Sequence, residues 1–183
     1  MKKLILTTLL LICVVRITTE QPIERTNFII PVIPKPDLTK LEEIDTIVTD
    51  LSVLHPAFRN EVIELIHECA RQGIRIRIQE TYRSVNRQNK LKRLGLKVTS
   101  LNGKESRHQY GLAIDIVPYI EGKLAWNEET LYKIGMIGEH LGLGWGGRWR
   151  RPYDPGHFEW KTTTEDLLSN RLPTMPDTIK IPI

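Results

Sequence analysis

Cysteine is almost missing from this 183-residue chain, which has only Cys13 and Cys69. A disulfide framework is thereby excluded for the folded body, and so is a structural zinc site built from clustered thiolates. Cys69 reads as a helix-packing residue. Also lacking is an apolar run of about 20 residues, the length an ordinary membrane-spanning helix needs. There is no repeat of fixed period and no long biased tract, which sets aside solenoid, collagen-like and largely disordered architectures. A strong charge of one sign is missing too. The formal charge of +4 comes from 26 Lys+Arg against 22 Asp+Glu, and three of the bases, Lys2, Lys3 and Arg16, belong to the N-terminal segment, leaving 23 against 22. With no nucleic-acid-binding motif beside it, this balance gives no case for a nucleic-acid partner.

The composition that is present, 40% hydrophobic and 26% charged, suits one compact domain with a single buried core. The chain opens Met1-Lys2-Lys3, continues through a mostly apolar run to Val15 and meets Arg16, the pattern of an export signal over residues 1–20. No small-x-small cleavage site follows, so cleavage and retention as an N-terminal membrane anchor both stay open. Either outcome places the body in the periplasm, cell envelope or extracellular space. Residues 21–37 carry four prolines and read as a linker. The domain is expected over 38–168, and the proline-containing tail over 169–183 either wraps the surface or is mobile.

Within the domain, apolar positions from Leu38 to Leu54 recur at helical spacing and predict a first helix. Pro56 fits the first turn of a second helix and Gly73 its stop. Ile74, Ile76 and Ile78 alternate with Arg75, Arg77 and Gln79, the period of a strand with one buried face. Ser84 can cap a helix through Leu94, Leu112–Val117 reads as a buried strand, Asn127 and Glu128 open a helix to about Leu141, and Phe158–Trp160 is the last strand candidate. Strands mixed with helices without regular alternation predict an α+β fold with a central antiparallel sheet and flanking helices. A basic stretch including Arg83, Arg87, Lys90, Arg107 and Arg151 is either a solvated face or an attractor of an anionic polymer.

The chemistry concentrates in Ser106-Arg-His108-Gln-Tyr-Gly111-Leu-Ala113-Ile-Asp115 and in Asp154-Pro-Gly-His157-Phe-Glu159-Trp160. A catalytic zinc takes three protein ligands from imidazole and carboxylate and leaves one position open, a requirement that His108, Asp115 and His157 can meet. Asp154, three residues before His157, is placed to accept a proton from an attacking water and pass it to a leaving amine. Arg83, at the end of the alternating strand, can pair with a substrate carboxylate or support an oxyanion. Taken singly, each of these residues has a plain structural use, and only the joint arrangement carries weight. Trp145 and Trp149 suit core packing or a substrate groove equally. Glu159 shares the face of His157 if the segment is extended, either orienting a ligand or solvated. His55, His67 and His140 fit no part of the pattern.

These motifs resemble the zinc D-alanyl-D-alanine carboxypeptidases and, among them, the L-alanyl-D-glutamate endopeptidases of spores and phage endolysins, which share a Hedgehog-type fold with a single zinc site. The resemblance covers roughly residues 38–165 and includes Tyr82-Arg83-Ser84 with Gln88, and the Gly144–Trp149 run. It implies one Zn2+ per chain on His108, Asp115 and His157, Asp154 as general base, Arg83 as transition-state support, and Tyr82, Gln88, Ser106 and Trp149 as substrate contacts. It further implies peptidoglycan stem peptides as substrate. Aspartate rather than glutamate at 154 resembles the endopeptidase branch, whereas Pro155-Gly156 departs from its usual proline immediately before the histidine. A D-alanyl-D-alanine carboxypeptidase and a non-catalytic zinc-containing wall-binding module are the competing expectations. The sequence carries no sign of oligomeric state.

Overall fold

A computed structural model of the chain describes residues 46–95 and 99–174. The predicted export segment and linker and the end of the tail lie outside the described residues. Among the described residues no helix is long and apolar enough to cross a membrane.

Helix α1 (Pro56–Arg71) begins where the His55 side chain accepts from the Ala57 N–H at 3.3 Å and Pro56 occupies the first turn. Its apolar stripe, Phe58, Val62, Leu65 and Cys69, is fully buried. The Cys69 thiol is packed and unreactive, because burial pushes its pKa up to about 12. Strand β1 (Arg75–Glu80) follows, then helix α2 (Val85–Arg93), capped by the Ser84 hydroxyl accepting from the Arg87 N–H at 3.1 Å. Strand β2 (Ala113–Ile120) turns through Glu121-Gly122 into β3 (Lys123–Leu124). Helix α3 (Glu128–His140) is capped by Asn127, whose side chain accepts from the Thr130 N–H at 2.8 Å. Two short strands, β4 (Gly144–Trp145) and β5 (His157–Glu159), and helix α4 (Thr164–Leu168) complete the order.

The sheet runs β1-β2-β5-β4, with β3 paired to the far end of β2, and every pairing is antiparallel. Alternation along β2 sends Ile114 and Ile116 into the core with Phe58, Leu131, Ile134 and Phe158, so Asp115 between them faces the other way. One face of the sheet is thus closed by α1 and α3, and the other carries polar groups. The α+β expectation holds, and the strands and the helices from Pro56 onward fall close to their predicted places.

Two expectations change. The helix predicted over Leu38–Leu54 is not helical in its described part. Residues 47–50 are irregular and only Leu51–Val53 forms a 3-10 turn, while Leu38–Asp45 lie outside the described residues. The Val48 carbonyl accepts from both the N–H and the hydroxyl of Thr81, at 2.7 and 3.0 Å, and that long-range pairing replaces the local bond a helix would make. Ile47 is consequently 56% exposed rather than on a buried face. In the opposite direction, α4 was unforeseen, although Thr163 and Asp166 form a capping box ahead of Leu167-Leu168.

Gly111 joins the 3-10 turn Arg107–Tyr110 to β2 at φ +65°, and a Cβ there would lie 2.8 Å from both His55 N and Val53 O. Gly142 also has positive φ, at +90°, but has open space around it. Gly111→Ala should therefore lower stability by about 2–4 kcal/mol, adding steric overlap with backbone to left-handed strain. Gly142→Ala should cost about 1 kcal/mol. Urea unfolding of the two variants side by side measures the difference.

Candidate active site

Three elements deliver the central side chains. The turn Arg107–Tyr110 is tightened by Gln109, whose side chain accepts from the Ser106 N–H at 3.3 Å, and it holds His108 almost fully buried. Asp115 lies in β2, directly opposite His157 of β5 in the antiparallel register. Directly opposed residues project to the same face of a sheet, so this pairing brings carboxylate and imidazole together. On the other side β1 carries an irregularity between Ile78 and Glu80 that sets Glu80, rather than Gln79, opposite Asp115.

Asp115 Oδ1 is 2.9 Å from His157 Nδ1 and 3.4 Å from His108 Nε2, and ligand atoms of all three residues lie within 4.8 Å of one another. The Thr81 carbonyl lies 3.0 Å from His108 Nδ1, so that nitrogen carries the proton and Nε2 presents its lone pair. Nε2 is buried with no hydrogen-bond partner among the described residues, since its contact with Asp115 is an approach without hydrogen-bond geometry. His157 is flanked by two carboxylates, Asp115 at Nδ1 and Glu159 at Nε2, the latter at 3.2 Å. Burial opposes a charge on this ring, but hydrogen bonds to both acids outweigh it and raise its pKa to about 9. Burial likewise works against the Asp115 carboxylate, yet His108 and His157 hold its pKa well below the usual range. An orphaned buried imidazole nitrogen beside a second imidazole and a carboxylate marks a point that can hold a metal cation. Two imidazoles and one carboxylate are a donor set suited to zinc.

Around this centre is a ring of charged partners. Arg83 donates from Nε to Glu80 at 2.9 Å, from Nη2 to Asp115 Oδ2 at 3.0 Å and from Nη1 to Gln88 at 3.1 Å. Glu80 is buried and also receives Arg87 Nε at 2.7 Å. Glu159, bonded to His157 on one oxygen, forms an ion pair with Arg107 at 3.3 Å on the other. The Trp149 ring stands 4.9 Å from that of His157, tilted by 43°. Burial, together with the nearby Asp115 charge, pushes the Asp154 carboxyl above its ordinary value.

A cavity of about 530 Å³ opens on this ring, lined among others by Arg83, Ser106, His108, Asp115, Trp149, Asp154 and His157. Tyr82 and Gln88 are fully buried and outside the lining; Gln88 instead donates to Thr99 Oγ1 and Leu101 O, at 3.1 and 3.0 Å. Trp145 and Trp149 separate: the former packs in the core and donates to Pro155 O at 2.9 Å, while the latter lines the cavity. The unusual Gly156 has a steric reason. Its carbonyl accepts from Ile116 N at 2.9 Å, and a Cβ would lie 2.7 Å from Ile116 O. His55 serves as the α1 cap, and His67 and His140 lie away from the cavity. Sequence reasoning missed Glu80 and the pairing of Arg87 and Arg107 with acids, although the Glu80-x-x-Arg83 spacing at a strand end was a usable signal. The Thr81 carbonyl is a main-chain group and leaves no such trace.

Fold and site together define a metallopeptidase with a His-Asp-His centre. The family described as D-alanyl-D-alanine carboxypeptidase matches residues 100–160, the span from just before His108 to just after His157. The chain is 33% identical over 123 residues to the peptidoglycan L-alanyl-D-glutamate endopeptidase CwlK of Bacillus subtilis (strain 168), covering 59% of this chain and 74% of that protein. It therefore belongs to the D-alanyl-D-alanine carboxypeptidase and L-alanyl-D-glutamate endopeptidase family. The crystal structure of the L-Ala D-Glu endopeptidase ChiX of Serratia marcescens has the same fold, with a TM-score of 0.50 and 24% identity over 68% of this chain and 95% of that one.

Arg83 and Glu80 have side chains only 12% and 7% exposed, so removing Arg83 leaves the buried Glu80 with Arg87 as its remaining cation among the described residues. Arg83→Leu is expected to lower stability by about 3 kcal/mol. Urea unfolding in the presence of chelator measures that loss.

Proposed function

We propose that this chain is an exported, zinc-dependent peptidoglycan peptidase that hydrolyses stem peptides at the L-alanyl-D-glutamate bond. The observation that carries this reading is the convergence of His108 Nε2, Asp115 and His157 Nδ1 in a cavity that Asp154 also lines. In it one zinc ion is held by His108, Asp115 and His157. When bound, zinc supplies Lewis acidity for the scissile carbonyl and for the attacking water.

The rest falls to the chain's own residues. Asp154, with its pKa raised by burial and by Asp115, accepts the proton of the attacking water and delivers it to the departing amine. Arg83 orients Asp115 through Oδ2 and brings positive charge to the cavity wall where negative charge develops on the substrate. Thr81 and Glu159 fix the proton positions on His108 and His157. Ser106 and Trp149 form walls against which the stem peptide lies.

The endopeptidase bond is supported by the curated relative's activity. Cleavage of a terminal D-alanyl-D-alanine bond is the second reading, favoured by the description of the matching family. Export rests on the basic and apolar opening of the chain, and places the enzyme at the cell envelope with residues 21–37 as tether.

Incubation of the zinc-loaded chain with peptidoglycan should release peptides beginning at D-glutamate, detected by mass spectrometry and abolished by chelator. Release of free D-alanine instead moves the assignment to the carboxypeptidase. Asp154→Ala should retain one zinc per chain yet lose about 10²–10⁴-fold in turnover. Zinc binding with no product from any wall type would favour a binding module.

A further inference from the structure

Four arginines line the active-site cavity: Arg83, Arg87, Arg107 and Arg151. Three are committed to protein acids, Arg83 to Glu80 and Asp115, Arg87 to Glu80, and Arg107 to Glu159. Arg151 is exposed, and its side chain makes no hydrogen bond or ion pair with any described residue. Its place over the cavity is nonetheless built. Trp149 N and Asp154 N both donate to the Gly146 carbonyl, at 3.1 and 3.2 Å, so one acceptor pinches the two ends of the loop on which Arg151 rides. That loop also carries Trp149 against His157 and Asp154 into the cavity.

The electrostatics of the cavity give this free cation a task. Glu80, Asp115 and Glu159 on its wall are matched by the three committed guanidiniums, so Arg151 is the lining guanidinium left to attract an incoming anion. On the proposed reading as a stem-peptide peptidase, on which this inference rests, the substrate is such an anion. D-Glutamate is joined onward through its γ-carboxyl, so the residue whose amine departs keeps a free α-carboxylate on the carbon bonded to the scissile nitrogen. A terminal D-alanine has the same feature.

We propose that Arg151 is the specificity-determining residue that binds this α-carboxylate, through the paired N–H groups a guanidinium presents to a carboxylate. It thereby places the departing amine beside Asp154 of the same loop. Arg83, which the sequence offered for a substrate carboxylate, is instead engaged by Glu80 and Asp115.

The test uses the zinc-loaded full chain and two synthetic stem peptides, one with D-glutamate and one with its α-amide, D-isoglutamine. The wild type should prefer the acid by about 10–100-fold in kcat/KM, the span of one charged hydrogen-bonding contact, with the difference in KM. Arg151→Ala should collapse that preference through KM, Arg151→Lys should restore part of it, and Arg150→Ala, exposed and off the cavity, should keep it whole. A preference that survives in Arg151→Ala, or a loss confined to kcat, overturns the proposal. Failure of the underlying reading looks different: the wild type then cuts neither peptide. In that case calorimetric binding of both peptides decides, equal wild-type affinities overturning the assignment and an acid preference removed by Arg151→Ala upholding it.

Discussion

The register of β2 against its two neighbours is the constraint on which the rest of this structure depends. Asp115 stands opposite Glu80 of β1 and opposite His157 of β5, so three ionisable residues from three strands share one small area of one sheet face. A slip of one residue in either pairing would turn Asp115 or His157 toward the core and Ile114 or Phe158 toward the cavity. The hydrophobic core therefore guards the site: Ile114, Ile116 and Phe158 are fully or almost fully buried against α1 and α3, and their burial holds the alternate positions outward.

Charges brought so close together and half removed from water must be compensated, and the chain does so by alternation. From one side of the cavity to the other, Arg87, Glu80, Arg83, Asp115, His157, Glu159 and Arg107 form a continuous series of cation and anion. Each carboxylate lies between two positive or protonatable groups, which offsets the desolvation that an isolated buried acid would suffer. The same series fixes orientation. Asp115 is held by Arg83 on one oxygen and approached by both imidazoles on the other, and each imidazole has its remote nitrogen tied, His108 to the Thr81 carbonyl and His157 to Glu159. Outer contacts of this kind set which nitrogen offers a lone pair.

Two exceptions to the alternation carry the functional interest. Asp154 lines the cavity with its pKa raised above the ordinary carboxylate value by burial and by the nearby Asp115 charge. Arg151 is the opposite exception, a cation in the same loop with no acid to answer it among the described residues. Both sit outside the regular elements, in a loop secured by the Gly146 and Gly156 carbonyls and by the Trp145 indole. A rigid sheet supplies the fixed centre, and on the proposed reading a braced loop supplies the groups that meet the substrate.

Much of this protein was legible in the residues themselves. The alternation of Ile74, Ile76 and Ile78, the caps at Ser84 and Asn127, and the two histidine- and aspartate-bearing motifs are local patterns, and local patterns determine strands, helix ends and the inventory of reactive groups. What they could not determine is which groups meet. The helical spacing before Leu54 gave way because Thr81, 33 residues away, takes the Val48 carbonyl. Arg87 and Arg107 looked like members of a basic stretch until tertiary contact paired them with Glu80 and Glu159. Tyr82 and Gln88 read as substrate contacts by position in a motif, but full burial places them behind the cavity wall. Sequence periodicity governs the direction a side chain takes from its own backbone; only the pairing of distant strands decides what it finds there.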